Sequence, residues 1–213
     1  MVSDFLPLGL PKASNYRDWY LPFEYDQISL RQGLESLFAL GAPQEDIPFI
    51  VRLLENPEGL GLLSGSVDLH QHDCIHLILG RGLLPKDEAF TIGFTMGSTK
   101  HISTWEEKLF TWISKNFYPE IYRFTSEDLV IFNDALHLAQ VSHCKAFDEV
   151  DFDQFLDSSL KEIREYLGLE VELIKSYYQL EQQRYPQAKE SQRLLLPTTL
   201  QLEKINSGGY YEQ

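Results

Sequence analysis

Apolar residues along this chain recur at helical spacing, and no stretch sustains the alternation of a strand. Ile28, Leu30, Leu34, Leu37, Phe38 and Leu40 make one stripe that stops at Gly41; Ile47, Ile50, Val51 and Leu54 make a second that stops at Asn56-Pro57. Gly59, Gly61 and Gly65 with one proline predict a loop over 56–66, and helical character returns over 67–79 until Gly80 and Gly82 end it. Pro85 followed by Asp87 and Glu88 has the chemistry of a helix start, proline in the first turn and carboxylates at the positive dipole end, so a helix is expected over 85–97. Ser103-Thr104 ahead of Glu106, Glu107, Leu109, Phe110, Trp112 and Ile113 predict a capped amphipathic helix. Thr125-Ser126-Glu127-Asp128 open another, running to about Phe147. Leu156, Leu160, Ile163, Leu167, Val171, Ile174 and Tyr178 predict one long last helix over 155–185, bounded by Pro186.

The fold class this implies is all-α: a single-domain helical bundle, with a core over 27–185. Before it, 1–26 carries Pro7, Pro11 and Pro22 among Tyr16, Trp19, Tyr20, Phe23 and Tyr25. The prolines forbid a long helix while the aromatics favour burial, so an extended arm lying over the body is expected. The segment 186–213 is polar apart from 194–196 and is expected to be a docked or partly disordered tail. At 213 residues the chain is long enough to bury one sizeable core.

Charge narrows the partners. The formal net charge is −14 and the pI about 4.8, which repels a phosphate backbone at long range and argues against nucleic acid as a partner. Only Cys74 and Cys144 are present, and the first residues lack the basic and apolar regions of a secretory signal, so a reduced, cytoplasmic location is expected. No apolar run approaches the roughly 18 residues of a spanning helix.

One segment stands apart chemically: His70-Gln71-His72-Asp73-Cys74-Ile75-His76, with Glu88 following the next turn. At about 100° per residue, His72, His76 and Asp73 fall within one arc of about 100° on a helix. Two neutral imidazoles and a carboxylate on one face suit a divalent metal with open positions, and Glu88 from the next helix start would add a second negative charge. Three of the six histidines fall within these seven residues. That clustering favours a metal site over histidines that merely hydrogen-bond to Asp73. On the following helix Ala89, Gly93 and Gly97 form a small-residue ridge; glycine inside a helix costs about 1 kcal/mol relative to alanine, so either another helix or a ligand such as an apolar chain must come close there.

The pattern His72-Asp73-x-x-His76, eleven residues, then Glu88, with Leu79-Gly80 between, resembles the signature of the ubiquinone (coenzyme Q) biosynthesis protein 4 family. The resemblance implies an all-α fold and a divalent ion, most often zinc, held by His72, Asp73, His76 and Glu88. It also implies a role in late ubiquinone assembly, described as oxidative removal of the ring carboxylate of a prenylated hydroxybenzoate with hydroxylation at that carbon. The implied partners are a hydrophobic prenylated molecule or lipid, a multiprotein quinone-synthesis complex or peripheral membrane contact, and a second copy of the chain. Family members commonly carry Gly-Glu where this chain has Asp87-Glu88.

The same residues suit three other readings. A non-enzymatic lipid-binding or scaffold protein would use the metal structurally. A metal-dependent phosphohydrolase of the His-Asp type needs another histidine upstream, and none precedes His70. A two-metal carboxylate site would pair Asp73 and His76 with Asp134 and His137, which repeat the same spacing, although a hydrogen-bonded His137 is the simpler reading. Cys74 points away from the histidine face and is expected to pack rather than react.

Overall fold

The computed structural model of the chain describes residues 16–39, 69–99 and 124–196. The expected helices at 47–54 and 103–113, the loop at 56–66, the start of the arm and the end of the tail lie outside the described residues. Within them the elements are α1 (Leu30–Phe38), α2 (Leu69–Leu79), α3 (Pro85–Ser98), α4 (Ser126–Val141), α5 (Leu160–Leu167), α6 (Val171–Arg184) and the short α7 (Lys189–Gln192). Three 3-10 turns accompany them at Tyr16–Asp18, Phe147–Glu149 and Phe152–Phe155. The fold is all-α. The nearest approach to a strand among the described residues is an isolated bridge between Ser29 and Ser159, the N-cap residues of α1 and α5.

Local chemistry sets the helix starts. Ser29 accepts from Gln32 N at 3.2 Å while the Gln32 side chain accepts from Ser29 N at 3.0 Å, and the same reciprocal box recurs at Thr125 with Asp128 and at Ser159 with Glu162. The single helix expected over 155–185 is in fact two, divided at Gly168, whose φ of 69° is left-handed. There Leu169 N donates to Arg164 O at 2.9 Å and Gly168 N to Glu165 O at 3.1 Å, closing α5 as glycine-ended helices close. Leu167, Val171 and Ile174 keep helical spacing across the break, which is why the stripe conceals it. The helix α4 ends at Val141, short of Phe147, and Phe147 instead opens its own 3-10 turn.

At the centre lies α3, every residue of which from Lys86 to Ser98 is buried. The arm packs into the core without helical structure of its own beyond Asp18: Trp19, Leu21 and Phe23 are all buried, Phe23 meets the Tyr178 ring edge to face, and Phe23 N donates to Leu194 O at 3.0 Å. The tail is docked as far as 196: Leu194, Ser191 and Arg193 are buried. No helix among the described residues is long and apolar enough to cross a membrane.

Two side chains from the later helices hold the end of α2. Arg164 Nε donates to Ile78 O at 2.8 Å and its Nη1 to Phe23 O at 2.7 Å; the Tyr178 hydroxyl donates to Leu79 O at 2.5 Å. The Ile78 and Leu79 carbonyls lie at the C-terminus of α2, where a cation is favoured. Burial pushes the Arg164 guanidinium down to about 10 and the Tyr178 phenol up to about 12, so both still carry their donor protons at neutral pH.

Candidate metal centre

His72 and His76 stand one turn apart on α2, so their rings share a face, packed edge to face with centroids 4.6 Å apart. Leu77, Ile78 and Leu79 follow, each fully buried, and anchor the helix. Gly80, with φ of 66°, then turns the chain; a side chain there would meet the Phe23 backbone. Leu84 N donates to Asp87 Oδ2 at 3.2 Å and Pro85 opens α3, which brings Glu88 in the first turn back to the histidines.

The result is a compact group. His72 Nε2 lies 2.9 Å from His76 Nε2 and 3.1 Å from Glu88 Oε2, and His76 Nε2 lies 3.5 Å from Glu88 Oε1. One ligand atom from each of the three falls within 4.8 Å of the others, and all three residues are buried, His76 completely. Among the described residues this is the one group of histidine, cysteine and carboxylate side chains so arranged.

Its electrostatics follow from that geometry. Burial alone would push the Glu88 carboxyl up, but the imidazoles of His76 and His72 outweigh it and hold Glu88 well below the usual carboxylate range. Burial alone would push His76 down; the charge of Glu88 and a hydrogen bond to it raise His76 above its ordinary value instead. Glu88 and His76 therefore each favour the other's charged form, and a divalent ion offers positive charge at the same point. Two imidazole nitrogens and a carboxylate oxygen, buried and mutually close, fit such an ion as a donor set.

The remaining sequence candidates distribute unevenly. Asp73 is buried beside the group but its carboxylate is not among the three converging ligands; burial raises it, with His72 and His76 pulling the other way. On the wheel it sits about 80° from the mean direction of the histidine pair, and Glu88 arrives on their side rather than its own. At Gly93 and Gly97 the helix crossing takes the space that a ligand was expected to share: a Cβ at Gly93 would overlap the carbonyl of Phe132 and one at Gly97 that of Leu136, both in α4, while Ala89 is buried in the core. Asp134 accepts from Arg184 Nη1 at 2.6 Å and the Tyr177 hydroxyl at 3.3 Å, and the two-metal arrangement with His137 does not form. Cys74 is fully buried in the core.

Two features escaped the sequence. Thr91, one turn after Glu88 on α3, places its hydroxyl 3.4 Å from His76 Nδ1, and the i, i+3 spacing was the available signal. A buried ionic network joins Arg81, Asp87, Glu181 and Arg193, whose members lie up to 112 positions apart in the chain and left no local signal. Comparison with family profiles, with curated proteins and with solved structures finds no match.

Proposed function

We propose that the chain is a divalent-metal protein in which His72, His76 and Glu88 hold the ion, zinc being the expected one, and that it acts on or holds a prenylated quinone precursor. The observation that carries the metal reading is the convergence of two imidazoles and one carboxylate, from two helices, with ligand atoms within 4.8 Å and no lysine or arginine paired to Glu88 among the described residues. The substrate class rests on the resemblance of residues 72–88 to the coenzyme Q biosynthesis protein 4 family, whose described reaction is oxidative ring decarboxylation with hydroxylation. A bound ion would supply Lewis acidity toward a ring carboxylate or phenolate. The protein's own residues would fix the ion through Nε2 of both histidines, hold Glu88 ionised, and keep bulk water away by burial.

A structural ion in a lipid-binding or scaffold protein is the second reading, favoured by the burial of all three ligands and by Asp73 standing close enough to feel their charges. Zinc-loaded protein incubated under air with a prenylated hydroxybenzoate carrying carbon-13 in the ring carboxylate separates them. Release of labelled carbon dioxide supports the enzyme; retention of intact ligand in native mass spectrometry without release supports the scaffold. Neither release nor retention would remove the quinone precursor from the reading.

A further inference from the structure

We propose that Thr91 is the positioning residue of this centre, setting the tautomer of His76 so that Nε2 is free to bind the ion; the inference rests on the metal reading above. His76 is completely buried, with Nε2 turned toward His72 and Glu88. Its other nitrogen, Nδ1, has one hydrogen-bonding neighbour among the described residues, the hydroxyl of Thr91 at 3.4 Å, and Thr91 is also fully buried. A neutral imidazole carries one N–H. If Nδ1 holds it and donates to Thr91 Oγ1, the Nε2 lone pair faces the ion; with the proton on Nε2 it cannot ligate.

The row of hydroxyls on α3 makes Thr91 distinctive. Thr95 Oγ1 donates to Thr91 O at 2.8 Å and Ser98 Oγ to Thr95 O at 2.7 Å, each turned back on its own helix. The Thr91 hydroxyl instead meets a side chain of α2. Because Thr91 follows Glu88 by one turn, α3 supplies both a ligand and the acceptor that orients another ligand, and one rotation of the helix sets both.

The test uses the full chain with zinc alone, titrated in competition with a chromophoric chelator, on Thr91→Val and Thr91→Ser. Valine keeps the shape and removes the acceptor, so zinc affinity is expected to fall about 10–100-fold, with serine restoring it to within a few fold of the parent. Equal affinity in the valine variant, or equal loss in both variants, overturns the proposal. Nitrogen-15 shifts of His76 in zinc-loaded parent protein give an independent readout: zinc on Nε2 with the proton on Nδ1 is expected, and zinc on Nδ1 overturns the proposal even where the valine variant does not fold. If the parent binds no zinc, the metal reading fails and Thr91 falls with it; if the parent binds zinc and the valine variant binds it equally, only the role of Thr91 fails.

Discussion

Asp87 and Glu88 are consecutive, both buried in the first turn of α3, and their surroundings differ completely. Asp87 belongs to a balanced network: its Oδ2 accepts from Arg193 Nη2 at 2.8 Å, Arg81 approaches its other oxygen, and Arg81 pairs with Glu181 through 3.0 and 2.6 Å bonds while lying against the rings of Phe90 and Tyr178. Two guanidinium groups meet two carboxylates, and Ser191 donates to Glu181 Oε1 at 2.9 Å. Among the described residues Glu88 pairs only with imidazoles, which are cations only when protonated. The first region is electrically complete and ties the tail to α3 and α6; the second is complete only with protons or an ion. A buried carboxylate that finds a permanent cation is built into the fold, and one that finds histidines can exchange what neutralises it.

The sharpest way to break this contrast is to unbalance the first region. Glu181→Ala strands Arg81 without its main partner in a fully buried place, which is expected to cost about 3–5 kcal/mol in urea unfolding while the folded fraction still takes up zinc. Loss of zinc uptake with intact stability would reverse the two roles. Next in size, Gly97→Leu drives a side chain into the Leu136 backbone and is expected to cost about 1–3 kcal/mol or more by overpacking. A variant with unchanged unfolding by circular dichroism would show that the ridge is open space after all.

The Glu88 side of this contrast could be read beforehand and the Asp87 side could not, for physical reasons. The start of α3 was legible because Pro85, Asp87 and Glu88 act locally, and the histidine face was legible because i, i+4 spacing is a property of the helix alone. The ridge showed that something approaches Gly93 and Gly97 but not what, since a helix and an apolar chain ask the same space of a glycine. The break at Gly168 was hidden because the apolar stripe keeps its period through it. Asp73 was grouped with the ligands because a helical wheel gives direction around an axis and says nothing of the side from which α3 delivers Glu88. Arg81, Glu181 and Arg193 could not be paired at all, as their contacts depend on how α2, α6 and the tail come together.

The pH dependence sharpens the second region. Glu88 lies below its ordinary value, so its contribution to stability is present above the normal carboxylate range and is lost as pH falls toward the depressed value. His76 lies above its ordinary value, so its contribution is present at and below the normal histidine range and is lost as pH rises through the raised value. Metal-free protein is therefore expected to lose stability as pH rises above the ordinary histidine range, and zinc, which binds the deprotonated imidazole, is expected to restore it there while weakening as pH falls. Urea unfolding at pH 6 and pH 8.5, with zinc and with chelator, measures both directions; a zinc effect independent of pH would contradict competition between protons and zinc at His76. The smallest expected effect belongs to Asp73→Asn, which removes a neighbouring charge but none of the three converging ligands. Zinc affinity should fall less than in Glu88→Gln, and an equal fall by competitive titration would make Asp73 a fourth ligand.

The central claim is that His72, His76 and Glu88 hold a divalent ion together. Elemental analysis of the purified chain beside His76→Ala, both exposed to excess zinc and then desalted, tests it most directly. About one zinc per chain in the parent and most of it lost in the variant is the predicted result. The same zinc content in both, or none in the parent, would contradict it.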